Sequence, residues 1–210
     1  ALVRDGSLDL RGVSGFALDE YVGLDHAHPE SYHSVIRTSV TEPLGLDPAF
    51  VRVPDGLAAD LGAACEAYEQ SIADAGGVDL QLLGIGTNGH IGFNEPTSSF
   101  GSRTRLKTLT PQTRRDNARF FDSLEQVPMH ALTQGIGTIL DARELVLVAN
   151  GEGKAAAVAA MVEGPLSSMC PASALQLHPN AAVIIDRAAA SQLSYTEYYE
   201  QVEAYAHLVE

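Results

Sequence analysis

Apolar and polar positions along the chain switch repeatedly between the two-residue period of strands and the longer period of helices. Val13 to Val22 reads as a buried strand ending in Asp19-Glu20-Tyr21. Pro29 opens a short helix to about Val40, and Phe50 to Val53 forms a brief strand. Leu57 to Ala75 has helical spacing and stops at Gly76-Gly77. Val78 to Leu83 is a strand running into a glycine-rich loop, and Arg105 to Leu109 is extended. Pro111 starts a helix to about Phe121, and Leu145 to Ala149 is an apolar strand. Lys154 to Val162 is an alanine-rich helix closed by Gly164-Pro165, Ala181 to Ile185 is the last strand, and the tail from Ser194 is helical. Strands alternating with helices predict an α/β fold with a mainly parallel open sheet. No repeat, low-complexity tract or linker divides the 210 residues, so residues 1–210 are read as a single domain.

The loop after the Val78–Leu83 strand concentrates the chemistry. Gly84-Ile85-Gly86-Thr87-Asn88-Gly89-His90-Ile91-Gly92-Phe93-Asn94-Glu95-Pro96 combines glycines, an imidazole, two carboxamides and a carboxylate. Glycines at the carboxyl end of a strand let the backbone turn sharply and approach a ligand. His90 and Glu95 have the makings of a proton-transfer pair. The first six residues also satisfy the dinucleotide pattern G-x-G-x-x-G, which needs a helix at once and an acidic residue about 20 positions on. Pro96 blocks a long helix, and Pro96 to Arg115 contains no Asp or Glu, which argues against a dinucleotide.

Charge changes the picture next. The formal net charge of −14 argues against a nucleic-acid partner. Yet six of the thirteen Lys and Arg residues fall between Arg103 and Arg119, where the first acid after Glu95 is Asp116. A basic cluster on an acidic chain suits a small phosphorylated substrate, with a solvated face or a subunit contact as the alternative. Asn150-Gly151-Glu152-Gly153-Lys154 lacks the first Gly and the Ser/Thr of a nucleotide phosphate loop, although a lysine at a helix start can still touch a phosphate. His26-Ala27-His28 has no third ligand cluster nearby and reads as a loop contact rather than a metal pair. Cys65 and Cys170 fit a reducing compartment better than a disulfide framework. No apolar run approaches the roughly 18 residues of a membrane span, and no signal peptide is visible.

Several segments carry a resemblance in a fixed order. They are Leu18-Asp19-Glu20-Tyr21-Val22-Gly23-Leu24, His28-Pro29-Glu30-Ser31-Tyr32, the loop through Phe93-Asn94-Glu95-Pro96, and Ser102-Arg103-Thr104-Arg105-Leu106-Lys107-Thr108. Ala131-Leu132-Thr133-Gln134-Gly135-Ile136-Gly137-Thr138 and Leu175-Gln176-Leu177-His178-Pro179 complete the set. Together they resemble the glucosamine-6-phosphate deaminase (isomerase) family over nearly the whole chain. The sequence FNEP after GHIG separates that resemblance from the related 6-phosphogluconolactonases, which carry GHxAS.

The resemblance implies a Rossmann-like α/β fold of the deaminase/6-phosphogluconolactonase type, with helices on both faces of the sheet. It implies conversion of glucosamine 6-phosphate and water to fructose 6-phosphate and ammonia in amino-sugar catabolism, by a cytoplasmic homo-oligomer. The expected chemistry is acid–base, with no metal and no cofactor. Asp19 matches the enolisation base, His90 the ring-opening base, and Asn88 and Glu95 the groups supporting ring opening. Some members have Asp where this chain has Asn88; an amide carries no charge, so less elevation of the His90 pKa is expected. Arg119 and Lys154 match the contacts to the substrate phosphate.

Ser98, Arg105, Lys107 and Thr108 match a second phosphate site at a subunit interface, where N-acetylglucosamine 6-phosphate activates some members; Tyr198 is the candidate contact from the C-terminal tail. Arg105 and Lys107 read equally as an inter-subunit ion pair. Nothing in the chain matches the family's N-terminal strand and Gly/Thr-rich phosphate loop, so a strand-loop-helix unit of about 30–50 residues is expected to be missing. A lactonase or isomerase of the same fold, or a non-catalytic sugar-phosphate sensor, are the competing functions; a sensor would lack the Asp19, His90 and Glu95 set.

Overall fold

A computed structural model describes residues 2–3 and 5–205. In chain order the elements are β1 (Gly15–Phe16), β2 (Asp19–Tyr21), α1 (Tyr32–Ile36), α2 (Glu42–Leu44), β3 (Val51–Arg52) and α3 (Leu61–Asp74). They continue as β4 (Leu80–Leu83), β5 (Arg105–Thr108), α4 (Pro111–Asn117), β6 (His130–Thr133) and α5 (Ile136–Leu140). The rest are β7 (Glu144–Ala149), α6 (Ala155–Val162), β8 (Ala181–Ile185) and α7 (Thr196–Tyr205).

Strands β4, β7 and β8 form a parallel sheet in that order, with Leu83 opposite Leu147 and Leu147 opposite Val183. Its buried side, with Leu83, Leu145, Leu147 and Ala149, packs on Ala157, Val158 and Met161 of α6 and on Ile139 of α5. Leu80, Leu82, Val148 and Ile184 are exposed among the described residues. A second, antiparallel sheet has the order β2-β6-β5, and β1 pairs in parallel with β3. No helix among the described residues is long and apolar enough to cross a membrane.

The long strand expected over Val13 to Val22 is broken because it changes partner. Gly15–Phe16 pairs with β3, then the chain bends at Leu18, and Asp19–Tyr21 pairs with β6 in the other sheet. Short β6 and α5 escape sequence reading because His130 to Leu140 carries two glycines and too few residues to establish a period. Helix α1 begins at Tyr32 rather than Pro29, since Ser31 caps it by accepting the His33 amide at 3.2 Å.

That helix start is welded to β2 by Glu20, whose side chain is wholly buried. Its Oε1 accepts the Tyr21 and Tyr32 amides at 2.7 and 3.1 Å, and its Oε2 accepts the Ser31 hydroxyl and the His33 amide at 2.7 and 3.1 Å. Four donors around one carboxylate offset its desolvation, and removing it orphans them. Glu20→Ala should therefore lower stability by about 3–5 kcal/mol. Urea denaturation followed by circular dichroism measures it, and a loss below about 1 kcal/mol would contradict this structural role.

Candidate active site

A cleft of about 800 Å³ opens beyond the carboxyl ends of β4 and β7, where ligands bind in open α/β sheets. Its walls come from segments far apart in sequence. Asp19 begins β2, Gly84 to Thr87 with His90, Gly92 and Phe93 come from the loop after β4, Arg115, Asp116, Asn117 and Arg119 from α4 and its continuation, and Asn150, Gly153 and Lys154 from the turn after β7. Asp19, His90, Arg119 and Lys154, proposed from sequence in separate motifs, all line it.

The loop after β4 stays in turns and opens no helix, so the dinucleotide reading has no helix N-terminus to use. Its backbone folds back on itself, with the Gly86 amide donating to His90 O at 2.9 Å and the Gly89 amide to Gly86 O at 3.0 Å. A Cβ at residue 86 would collide with the His90 imidazole, so glycine there lets the ring lie against the backbone. Gly92 has φ +53, and a Cβ there would stand 3.0 Å from Thr133 Oγ1 and 3.4 Å from Asp19 Oδ2.

Asn88 and Glu95 sit behind His90 rather than in the cleft wall. Asn88 Oδ1 accepts the His90 backbone N–H at 3.2 Å and lies 2.7 Å from His90 Nδ1, while Asn88 Nδ2 donates to Glu95 Oε2 at 2.8 Å. A backbone N–H can only donate and a carboxylate can only accept, so the amide is oriented from both ends. Its oxygen therefore faces Nδ1, which must carry the proton, and Nε2 is left as the free base. Glu95 lies 3.7 Å from Nδ1 and is itself fixed by the Thr110 amide, which donates to Oε1 at 3.0 Å. Burial pushes the His90 pKa below the ordinary histidine value; Glu95 opposes that shift, Lys154 adds to it, and Asp116 opposes it.

Asp19 is 6% exposed, and burial, reinforced by the neighbouring Glu20 charge, pushes its pKa up to about 8. A carboxyl balanced near neutrality both takes and returns a proton, as an enolising group must. Lys154 donates from Nζ to Ile85 O at 2.7 Å, which anchors it at the cleft floor; burial lowers its pKa, Asp116 opposes that, and Arg119 adds to it. Arg119 lies over the Phe120 ring at 4.6 Å.

The second set of predicted residues divides. In β5 the side chains alternate, so Arg105 and Lys107 share one face and Leu106 and Thr108 the other. Thr108 Oγ1 is 3.2 Å from His130 Nδ1, and Ser98 is buried, donating to Glu95 O at 2.6 Å. Tyr198 is exposed on α7 with its ring 5.8 Å from Tyr199, and no hydrogen bond joins it to Arg105 or Lys107 among the described residues. His26 stacks on His33 at 3.7 Å and His28 on Phe121 at 5.7 Å, as loop contacts. Among the described residues, no group of three or more His, Cys, Asp or Glu is arranged to hold a metal ion.

Sequence reading missed Asp116 and Thr87, joined across the cleft mouth by a 3.0 Å hydrogen bond, and Asn117, which donates to the Tyr21 hydroxyl at 3.1 Å. Position gave the only signal: Asp116 is the lone acid in the basic stretch from Arg103 to Arg119.

Fold and cleft together define an α/β protein with a polar cleft, carrying Arg115, Arg119 and Lys154, at the carboxyl ends of its parallel strands. Residues 1–184 match the profile of glucosamine-6-phosphate isomerases/6-phosphogluconolactonases, and the chain belongs to that family. It is 63% identical over 208 residues to a Streptomyces coelicolor protein named glucosamine-6-phosphate deaminase, covering 99% of this chain and 79% of that one. A solved structure described as a monomeric glucosamine-6-phosphate deaminase superposes with a TM-score of 0.89 at 46% identity, covering 91% of this chain and 79% of that one. A Trypanosoma cruzi 6-phosphogluconolactonase matches with a TM-score of 0.69 at 19% identity, covering 92% and 75%, and shows the shared fold alone.

Proposed function

We propose that the protein converts glucosamine 6-phosphate and water to fructose 6-phosphate and ammonia. The observation carrying this reading is the convergence of Asp19, His90, Arg119 and Lys154 on one cleft, in a chain closely related to proteins named for that reaction. Arg119 and Lys154 hold the phosphate through charge-assisted contacts. His90 Nε2 removes the proton from the anomeric hydroxyl and delivers it to the ring oxygen, opening the pyranose. As O1 takes a proton from solvent, Asp19 removes the C2 proton to give an enolamine; Asp19 then returns its proton to C1 and the nitrogen releases one to solvent, leaving an imine at C2. Water adds to that imine, and the carbinolamine expels ammonia. The chemistry requires only positioned acids and bases and is proposed to need no added metal.

Arg105 and Lys107 are offered as a second anion site for N-acetylglucosamine 6-phosphate; neither forms an ion pair among the described residues. The 46%-identical relative is described as monomeric, so family membership alone carries no oligomeric state to this chain.

Ammonia release from glucosamine 6-phosphate, without added metal, tests the main reading and separates it from lactone hydrolysis. In the same assay Lys154→Ala and Arg119→Ala should each raise KM about tenfold or more, since each removes a charged contact to a non-reacting group. An unchanged KM in both variants would remove the phosphate from this end of the cleft.

A further inference from the structure

Resting on the deaminase reading, we infer that Asn94 is a positioning residue. Its carboxamide ties the loop that carries His90 and Glu95 to the bend that leads into Asp19, and so holds the two proton-transfer groups in one geometry. Asn94 is wholly buried and lies behind the cleft wall, so it acts through its neighbours. Its Nδ2 donates to two carbonyls, Ile91 O at 3.0 Å and Gln134 O at 2.8 Å. A carbonyl can only accept, so these contacts fix which end of the amide faces them. Oδ1 is left with no hydrogen-bond partner among the described residues, which is a cost for a buried acceptor. The side chain is held for its donors.

Those donors join the two halves of the site. On one side, the Asn94 backbone N–H also donates to Ile91 O, at 3.1 Å, and closes a bridge between Ile91 and Asn94 around Gly92 and Phe93. His90 comes just before that turn and Glu95 just after it. On the other side, Gln134 follows β6; its backbone N–H donates to Leu18 O at 2.7 Å and its Nε2 to Ala17 O at 3.1 Å. Ala17 and Leu18 lead directly into Asp19. Phe93, inside the turn, sends its amide to Thr133 Oγ1 at 3.1 Å. Burial raises the Asp19 pKa, the Glu20 charge adds to that, and the Phe93 amide opposes both.

Stability alone gives the carboxamide little to do. Without it, Ile91 O keeps the backbone N–H of residue 94, and Gln134 O keeps the Thr133 hydroxyl, which donates at 3.3 Å. No carbonyl would be orphaned, and one unpaired buried oxygen would be gone. The loss would be the cross-tie itself, leaving the turn from Ile91 to Phe93 to shift relative to Asp19. A misplacement of about 1 Å costs on the order of 10²-fold in rate.

The test compares wild type with Asn94→Leu, close in shape but without donors, and with Gln134→Met. The second variant also removes a wholly buried carboxamide with an unpaired oxygen, yet it keeps the backbone carbonyl that Asn94 holds. Ala17 O then keeps the Tyr68 hydroxyl at 2.7 Å. Thermal melts establish that each variant is folded, and ammonia release gives kcat and KM. Asn94→Leu should lose about 10–10²-fold in kcat with KM within about threefold, because Arg119 and Lys154 are untouched. Gln134→Met should keep kcat within about threefold. If Asn94→Leu does not fold, Asn94→Ala strips the same donors without added bulk and carries the comparison. A folded donor-less variant that keeps more than a tenth of wild-type kcat, or an equal loss in Gln134→Met, overturns the inference. If wild type releases no ammonia, the deaminase reading fails, and a crystal structure of the folded variant decides the tie: a displaced Phe93 amide supports it and an unmoved one overturns it.

Discussion

Asp19→Asn should lose about 10²–10⁴ of kcat while leaving the protein at least as stable as wild type. The lost rate follows from the proposed chemistry, since an amide cannot accept the C2 proton. Stability follows from the pKa. Asp19 ionises at about 8 in the fold against 3.8 for an ordinary aspartate, so between those values the folded state holds the proton more tightly than the unfolded chain. The wild type accordingly loses stability as pH rises from about 4 toward 8, because folding then keeps a proton that the unfolded chain has released. Asparagine does not titrate and escapes this penalty. Thermal melts at pH 8 should place the variant level with or above wild type, and the difference should change in the wild type's favour as pH falls toward 4. A variant that is both inactive and markedly less stable at pH 8 would identify Asp19 as a structural residue rather than a base.

His90→Gln should likewise remove about 10²–10⁴ of turnover, through ring opening. Glutamine still fills much of the space beside Gly86, but it has no lone-pair nitrogen poised to exchange a proton near neutral pH. Binding of an open-chain substrate analogue should survive, since Arg119, Lys154 and Asp19 remain in the cleft and the analogue needs no ring opening. Isothermal titration with that analogue, beside steady-state ammonia release, separates the two effects. Turnover within a factor of two of wild type would sink the assignment. The depressed pKa of His90 adds a sign: its imidazole is neutral across the range in which Asp19 titrates, so the ascending limb of kcat/KM belongs to Asp19. A limb well below that of Asp19 would reverse the two roles.

Much of the candidate site was legible because its parts are local. The turn from β4 into a glycine-rich loop, the five-residue spacing of His90 and Glu95, and the lysine following β7 each need only a few consecutive residues. The α/β alternation was legible because β4 and β7 carry one buried side each and α3 stops at Gly76, although it starts at Leu61 rather than Leu57, where Asp60 caps it. Asp19 was legible by its place at a strand end and by family likeness. Its perturbed ionisation was not, because that depends on burial by residues remote in sequence.

The sequence by itself therefore determined the class of fold and the family to which the chain belongs, and it supplied the candidate reactive groups. Only the tertiary structure decided that the strand expected from Val13 to Val22 divides between two sheets, since strand partners are set by long-range pairing and not by local period. The same pairing put Thr133 opposite Asp19, separated Thr108 from Arg105 and Lys107, and brought Thr87 to Asp116 across the cleft mouth. The orientation of the Asn88 amide also had to await the fold. It required a donor on one side and a carboxylate on the other, and a one-dimensional order of residues specifies neither direction nor distance.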